Sequence, residues 1–270
     1  INALAEDTGD GDHSSLASIP DTATGRARLI VKESGIIAGL RVAREVFSIA
    51  DPSLQVEILL HDGDRVQYGD IALTVSGKAH SILRAERLVL NFMQRMSGIA
   101  TATALYTEKV SDTNAKITDT RKTTPGMRAL EKEAVRTGGG VNHRMGLYDM
   151  IMLKDNHIDY AGGIAAAIRR TQEYLSANRL NLKIEVEARN IREVAEILET
   201  GGVDRIMLDN FNIPETREAV ALIAGRTETE SSGGITLENV RDYALCGVDY
   251  ISIGALTHHI KSLDMSLKAY

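Results

Sequence analysis

At 270 residues, 43% hydrophobic and 25% charged, the chain is long enough to bury a full core beneath an ordinary charged surface, as one large domain or two modest ones. A formal net charge of −6 excludes broad electrostatic attraction to nucleic acid or an anionic membrane, so any anionic ligand needs a local basic cluster. No run of about 18 apolar residues is present, and Ile1 to Asp12 is acidic and polar rather than basic and then apolar, so the expected location is the cytoplasm. The chain opens at Ile1 rather than Met, which suggests a short segment missing before it. The one cysteine, Cys246, has no partner for an internal disulfide and is expected to be a buried packing residue in a helix without a redox role.

Residues 28–75 hold three β-rich runs, Leu29-Ile30-Val31, Val56 to Leu60 and Ile71 to Val75. Turn clusters at Asp62-Gly63-Asp64 and Tyr68-Gly69-Asp70 separate them, which predicts a small antiparallel α+β domain. From Ser81 to Met96 the apolar positions Leu83, Leu88, Leu90 and Phe92 predict a helix, broken at Ser97-Gly98 and resumed to about Val110. The predicted division is an N-terminal α+β sandwich domain over 1–97, joined by 265–270, and a second domain over 98–264.

From Ala115 onward six strand-like runs begin near Lys116, Met150, Lys183, Arg205, Thr227 and Tyr250, each followed by a loop and an amphipathic helix such as Ile191 to Leu198. Alternating strands and helices allow a closed barrel or a doubly wound sheet. The C-terminal edges of the runs favour the barrel. In order they carry Arg121-Lys122, Lys154, Glu187, Asp209, Ser232-Gly233-Gly234 and Ser252-Ile253-Gly254. A barrel turns all these edges to one mouth, whereas a doubly wound sheet uses mainly its switch point. The predicted fold is an α/β chain with an open or irregular β/α barrel of about six to seven strands and a smaller N-terminal α+β sandwich domain.

A basic cluster runs through Thr120 to Gly126, Asn142-His143-Arg144 and Lys154 to His157. Arginines offer bidentate forks to carboxylate or phosphate and lysine a compact charge, a set suited to a small dianion. Any one of these charges alone would be read as a solvated salt bridge. Glu185 and Glu187 alternate onto one strand face and Asp209 ends the next strand. These carboxylates could bind ribose hydroxyls or diphosphate-bound magnesium; equally, Glu185 could be a buried partner of Lys154, a role less expected of Glu187 and Asp209. The segments Ser231 to Ile235 and Ser252 to Ala255 offer free backbone N–H groups for a phosphate at the last two strand ends. Gly138-Gly139-Gly140 reads as a flexible or close-packed connection.

These residues resemble the quinolinate phosphoribosyltransferases, the decarboxylating nicotinate-nucleotide pyrophosphorylases. The motifs carrying the likeness include Glu86-Arg87 through Asn91, Ser97 to Thr101, Thr118 to Gly126, Asn142-His143-Arg144, Lys154-Asp155-Asn156-His157, Glu185-Val186-Glu187, Leu208-Asp209-Asn210 and the two glycine segments. Departures are mild, at Ser231 and His13 to Ser15. The resemblance implies a homodimer, possibly within a larger assembly, in which an N-terminal domain covers the partner's barrel and Arg87 of the partner subunit completes the quinolinate pocket. It implies that Arg121, His143, Arg144 and Lys154 hold the two quinolinate carboxylates. Lys122, Glu187, Asp209, Ser232, Gly233, Gly234, Ser252, Ile253 and Gly254 would bind 5-phosphoribosyl 1-diphosphate, with Mg2+ at Glu187 and Asp209 and no organic cofactor. Lys122, Lys154, Glu187 and Asp209 form the implied catalytic set, and Arg95 and His157 are left without a role.

The implied reaction joins quinolinate to the phosphoribosyl group and releases carbon dioxide and pyrophosphate, giving nicotinate mononucleotide for NAD biosynthesis. No nucleophile paired with a base is evident, so positioning and electrostatics would carry it. The rivals are a nicotinate phosphoribosyltransferase or a relative tied to molybdenum transport, a Schiff-base lyase using Lys154, and a non-catalytic phosphometabolite-binding protein.

Overall fold

The computed structural model describes every residue, 1–270. Its elements in chain order are α1 (Asn2–Thr8), α2 (His13–Ser18), β1 (Thr24–Val31), β2 (Gly35–Ile36), α3 (Leu40–Ala50), β3 (Gln55–Ile58), β4 (Arg65–Val66), β5 (Ile71–Lys78), α4 (Ala79–Lys109), β6 (Lys116–Thr118), α5 (Arg128–Thr137) and β7 (Ile151–Leu153). There follow α6 (Asp155–Ala161), α7 (Ile164–Asn178), β8 (Ile184–Ala188), α8 (Ile191–Thr200), β9 (Arg205–Asp209), α9 (Ile213–Ile223), β10 (Glu228–Ser232), α10 (Val240–Ala244), β11 (Tyr250–Ser252), α11 (Ala255–His258) and β12 (Met265–Ala269). Two compact units result: Ile1–Ala104 with Leu130–Gly139 and His259–Tyr270, and Leu105–Ala129 with Gly140–His258. No helix is long and apolar enough to cross a membrane.

The first unit is organised by a four-stranded antiparallel sheet in the order β12-β1-β5-β3, so the C-terminal strand pairs with the first long strand, Leu29 opposite Leu267. Strand alternation buries Ala27, Leu29 and Val31 and leaves Arg26 and Arg28 outside. Helix α3 presents Leu40, Ala43, Val46, Phe47 and Ala50 to the same core, the spacing of one helical face. Helix α4 runs unbroken through Ser97-Gly98, where the sequence pattern predicts a stop. Gly98 answers a different need: a Cβ there would stand 2.4 Å from the Lys261 carbonyl oxygen, so the residue permits a close backbone approach. The compact unit extends into this helix as far as Ala104.

The second unit carries a six-stranded parallel sheet in the order β6-β11-β10-β9-β8-β7. That is the cyclic order of a β/α barrel, left open between β6 and β7; at that edge Thr118 bridges instead to Val141. The six expected strands and the open barrel are all present. Asn190 caps α8 by accepting from Glu193 N–H, and Asn212 with Glu215 forms a capping box on α9, fixing where each helix leaves its strand. Cys246 is buried, but in the turn after α10 rather than inside a helix.

Candidate active site

At the C-terminal ends of the barrel strands lies a cavity of about 730 Å³. It is large enough for two small substrates side by side. Arg121 and Lys122 reach it from the loop after β6, His143 and Arg144 from the segment before β7, and Lys154 from the residue after β7. Asp209 enters from β9, Ser232, Gly233 and Gly234 from the end of β10, and Ser252, Ile253 and Gly254 from the end of β11. Two of the sequence-derived residues do not line it. Glu187 lies beside it, and Arg87 sits exposed on α4 in the first unit.

The cationic end is built for anions. Arg121 and Arg144 are half-buried and close enough that the Arg121 charge, after burial itself, lowers the Arg144 pKa. Arg144 is anchored by Nη1 donating to the Met150 carbonyl oxygen at 3.1 Å, while the buried Nε of Arg121 has no protein partner. Two guanidiniums facing one space repel each other until an anion bridges them. Asp119, fully buried, shapes the loop by accepting from His143 N–H at 2.9 Å and Asn142 Nδ2 at 2.5 Å.

Lys154 Nζ donates to Glu187 Oε2 at 2.7 Å, with Glu187 almost fully buried. The carboxylate partner of Lys154 is therefore Glu187, whereas the sequence reading held that role less expected for Glu187 than for Glu185. Glu185 instead faces His143: its Oε2 lies 3.0 Å from Nε2, with Glu230 Oε2 at 3.5 Å from the same nitrogen. Burial disfavours a charged His143, but the two carboxylates overcome it and raise the pKa to about 9. The Arg144 N–H points at Nδ1 at 2.7 Å and opposes a second proton, so Nε2 carries a proton in either state. Glu185 is pushed upward by burial and by the Glu230 charge; Glu230 is held down against its burial by His143 and Arg205.

Opposite the cations, Gly233 has φ of +92° and a Cβ there would meet Asn210 Oδ1 at 2.2 Å, so only glycine fits. The backbone N–H groups of Gly233 and Gly234 make no hydrogen bond inside the protein and are free to face a phosphate. Asn210 itself sits in the left-handed region at φ +57° and donates from Nδ2 to Asp209 Oδ2 at 2.7 Å, aiming that carboxylate. His157 accepts the Lys154 N–H at 3.1 Å, and Arg95 pairs with Glu131 in the first unit.

The sequence reading missed Glu230 and Arg205. Their signal was present in the alternation Glu228-x-Glu230-x-Ser232 and Arg205-x-Met207-x-Asp209, which places them on the same strand face as the site residues.

Fold and site together define a β/α-barrel protein that receives multiply charged anions at the mouth of its strands. Residues 12–97 match the model of the quinolinate phosphoribosyl transferase N-terminal domain and residues 99–268 that of its C-terminal domain. The chain belongs to the quinolinate phosphoribosyltransferase family, and the likeness read from its motifs is borne out. It is 50% identical over 281 aligned residues to "Quinolinate phosphoribosyltransferase [decarboxylating] 1b" of Nicotiana tabacum, covering 98% of this chain and 80% of that protein. A "probable nicotinate-nucleotide pyrophosphorylase [carboxylating]" of Bacillus subtilis is 43% identical, over 97% of this chain and 89% of that one. Among solved structures, NadC from Streptococcus pyogenes superposes with a TM-score of 0.94 at 42% identity, covering 99% of this chain and 93% of the other. The nicotinate-nucleotide pyrophosphorylase of Ehrlichia chaffeensis does so with 0.94 at 38%, covering 100% and 96%.

Proposed function

We propose that this chain transfers the phosphoribosyl group of 5-phosphoribosyl 1-diphosphate to quinolinate with loss of carbon dioxide, giving nicotinate mononucleotide for NAD biosynthesis. The observation that carries the proposal is the convergence of Arg121, His143, Arg144 and Lys154 at one end of a cavity whose other end is the pair of glycine turns. The cations suit a planar diacid and the turns a sugar phosphate.

In this reading Arg121 and Arg144 grip the carboxylates of quinolinate and aim its ring nitrogen at C1 of the ribose. The nitrogen lone pair forms the new bond as the C1–oxygen bond to diphosphate breaks, and that electron pair leaves with pyrophosphate. Lys122 balances the leaving charge. The ring, now a pyridinium, accepts the electrons of the C2–carboxylate bond when carbon dioxide departs, and C2 takes a proton from water. Magnesium supplies charge neutralisation to the diphosphate when bound. Asp209, partly exposed at the cavity, fits as its carboxylate ligand, since a magnesium site needs only one or two carboxylates besides phosphate oxygens and water. Glu187, committed to Lys154, fits better as the partner that orients that lysine. The same ion pair is the arrangement of a charge partner rather than a free amine, which disfavours the Schiff-base lyase.

We further propose a homodimer in which Arg87 of the partner subunit completes the carboxylate pocket, in keeping with the exposed setting of Arg87 on α4. The working location proposed is the cytoplasm; recovery of the protein from plastids, the place the name of an Arabidopsis thaliana relative gives for that protein, would overturn this. The deciding experiment mixes purified protein with quinolinate, 5-phosphoribosyl 1-diphosphate and Mg2+. Nicotinate mononucleotide and carbon dioxide in equal amounts are expected. Turnover of nicotinate alone would point to the monocarboxylate rival, and binding of phosphoribosyl diphosphate without turnover to the non-catalytic one.

A further inference from the structure

Beneath the cavity, the barrel interior holds a chain of paired charges that touches no space open to substrate except at its upper end. Arg205, in β9, donates from Nη1 to Glu230 Oε2 at 2.8 Å and from Nη2 to Glu228 Oε2 at 3.1 Å, and its guanidinium lies 3.7 Å from the centre of the Tyr250 ring. Glu230 and Glu185, both fully buried, meet His143 Nε2 from two different strands. On the far edge of the same ring, Nδ1 stands 2.7 Å from the backbone nitrogen of Arg144. Both nitrogens of His143 thus face protein groups. A ring held at both edges acts as a strut, and what it supports is the residue that presents a guanidinium to the cavity.

Such support has a physical purpose. Arg144 faces the like charge of Arg121 and is partly desolvated, a repulsion its Nη1 contact with the Met150 carbonyl oxygen has to hold against. Preorganising it spares the binding step a rearrangement. We infer that Arg205, Glu230 and Glu185 are positioning residues of the carboxylate-binding end: they lock the His143 imidazole from below, and the imidazole locks the backbone that presents Arg144. The inference rests on the quinolinate reading above and assigns the specificity for a diacid to groups that act from beneath the carboxylate site, of which Glu230 alone reaches the cavity wall.

The test is Glu230→Gln, which keeps the shape of the side chain and removes its charge. The quinolinate KM is expected to rise at least about tenfold, with kcat within about threefold and the phosphoribosyl diphosphate KM within about twofold of wild type, the pattern of lost ground-state binding at one substrate. A role confined to folding would instead move both KM values and the melting temperature together, and that result, or an unchanged quinolinate KM, overturns the inference. If Glu230→Gln does not fold, Arg205→Lys, which keeps the positive charge but not the fork spanning Glu228 and Glu230, takes its place with the same readout. The reaction and the strut fail separately. Wild-type protein that does not turn over quinolinate sinks the reaction. The His143 ring-proton resonance, recorded without ligand, tests the strut alone: it should shift in the variant, and an unmoved resonance overturns the inference.

Discussion

In the first unit, strand alternation sends Ala27, Leu29 and Val31 inward to meet Phe47 and leaves arginines on the surface. In the barrel the same alternation works the other way about. Glu185 and Glu187, Arg205 and Met207, and Glu228 and Glu230 share the interior face, while Ile184, Val186, Ile206 and Leu208 lie on the buried opposite face. Around this sheet the first unit gains stability mainly from apolar area, with Arg95–Glu131 as a buried ion pair elsewhere in the unit. The barrel buries charges whose desolvation is costly unless each finds a partner, and it offsets that cost with Arg205–Glu230, His143–Glu185 and Lys154–Glu187. A buried face with that composition marks where binding, rather than folding, shaped the choice of residue.

Substitutions in each unit should break different properties. Phe47→Ala, in the apolar core, should have the largest effect on stability, about 3–5 kcal/mol by chemical denaturation. Arg144→Ala should leave the fold standing and raise the quinolinate KM about 100-fold, roughly 3 kcal/mol, in steady-state assays; an unchanged KM would remove Arg144 from the carboxylate site.

The barrel's charges should also give it a pH dependence that the first unit's core lacks. His143 has a folded pKa of about 9, above its ordinary 6.5, so its contribution is complete below pH 6.5 and fades as pH rises through 9. Stability should fall by about 1–3 kcal/mol over that window and His143→Gln should flatten the fall, as read from denaturation midpoints between pH 6 and 10. Glu187→Gln should lower kcat/KM about tenfold by releasing Lys154, with little change in melting temperature.

The smallest effect belongs to Asp51 in the first unit. Hydrogen bonds from Ser53 and then Ser81 lower its pKa from 3.8 to about 2, so its contribution is present above pH 4 and is lost as pH falls toward 2. Asp51→Asn should lower the melting temperature by roughly a few degrees at neutral pH and blunt the acid limb of the stability curve.

Much of the site was legible because its residues sit at strand ends beside turn formers, where a sequence shows both the element and its edge. Lys154, Asp209 and the two glycine turns were read that way, and each lines the cavity. Glu230 was not, because a glutamate in mid-strand looks like a surface residue until its neighbours are known, and its partners Arg205 and His143 lie 25 and 87 positions away by number. Ser97-Gly98 was misread for the related reason that a glycine which admits another backbone and one which ends a helix look alike in a single chain.

Local chemistry in the sequence by itself determined the order and type of the elements and the set of cations and glycine turns available to bind anions, because period, turn and charge are properties of near neighbours. Tertiary structure alone decided which carboxylate pairs with which cation, since burial and ion pairing depend on strands brought together from distant parts of the chain.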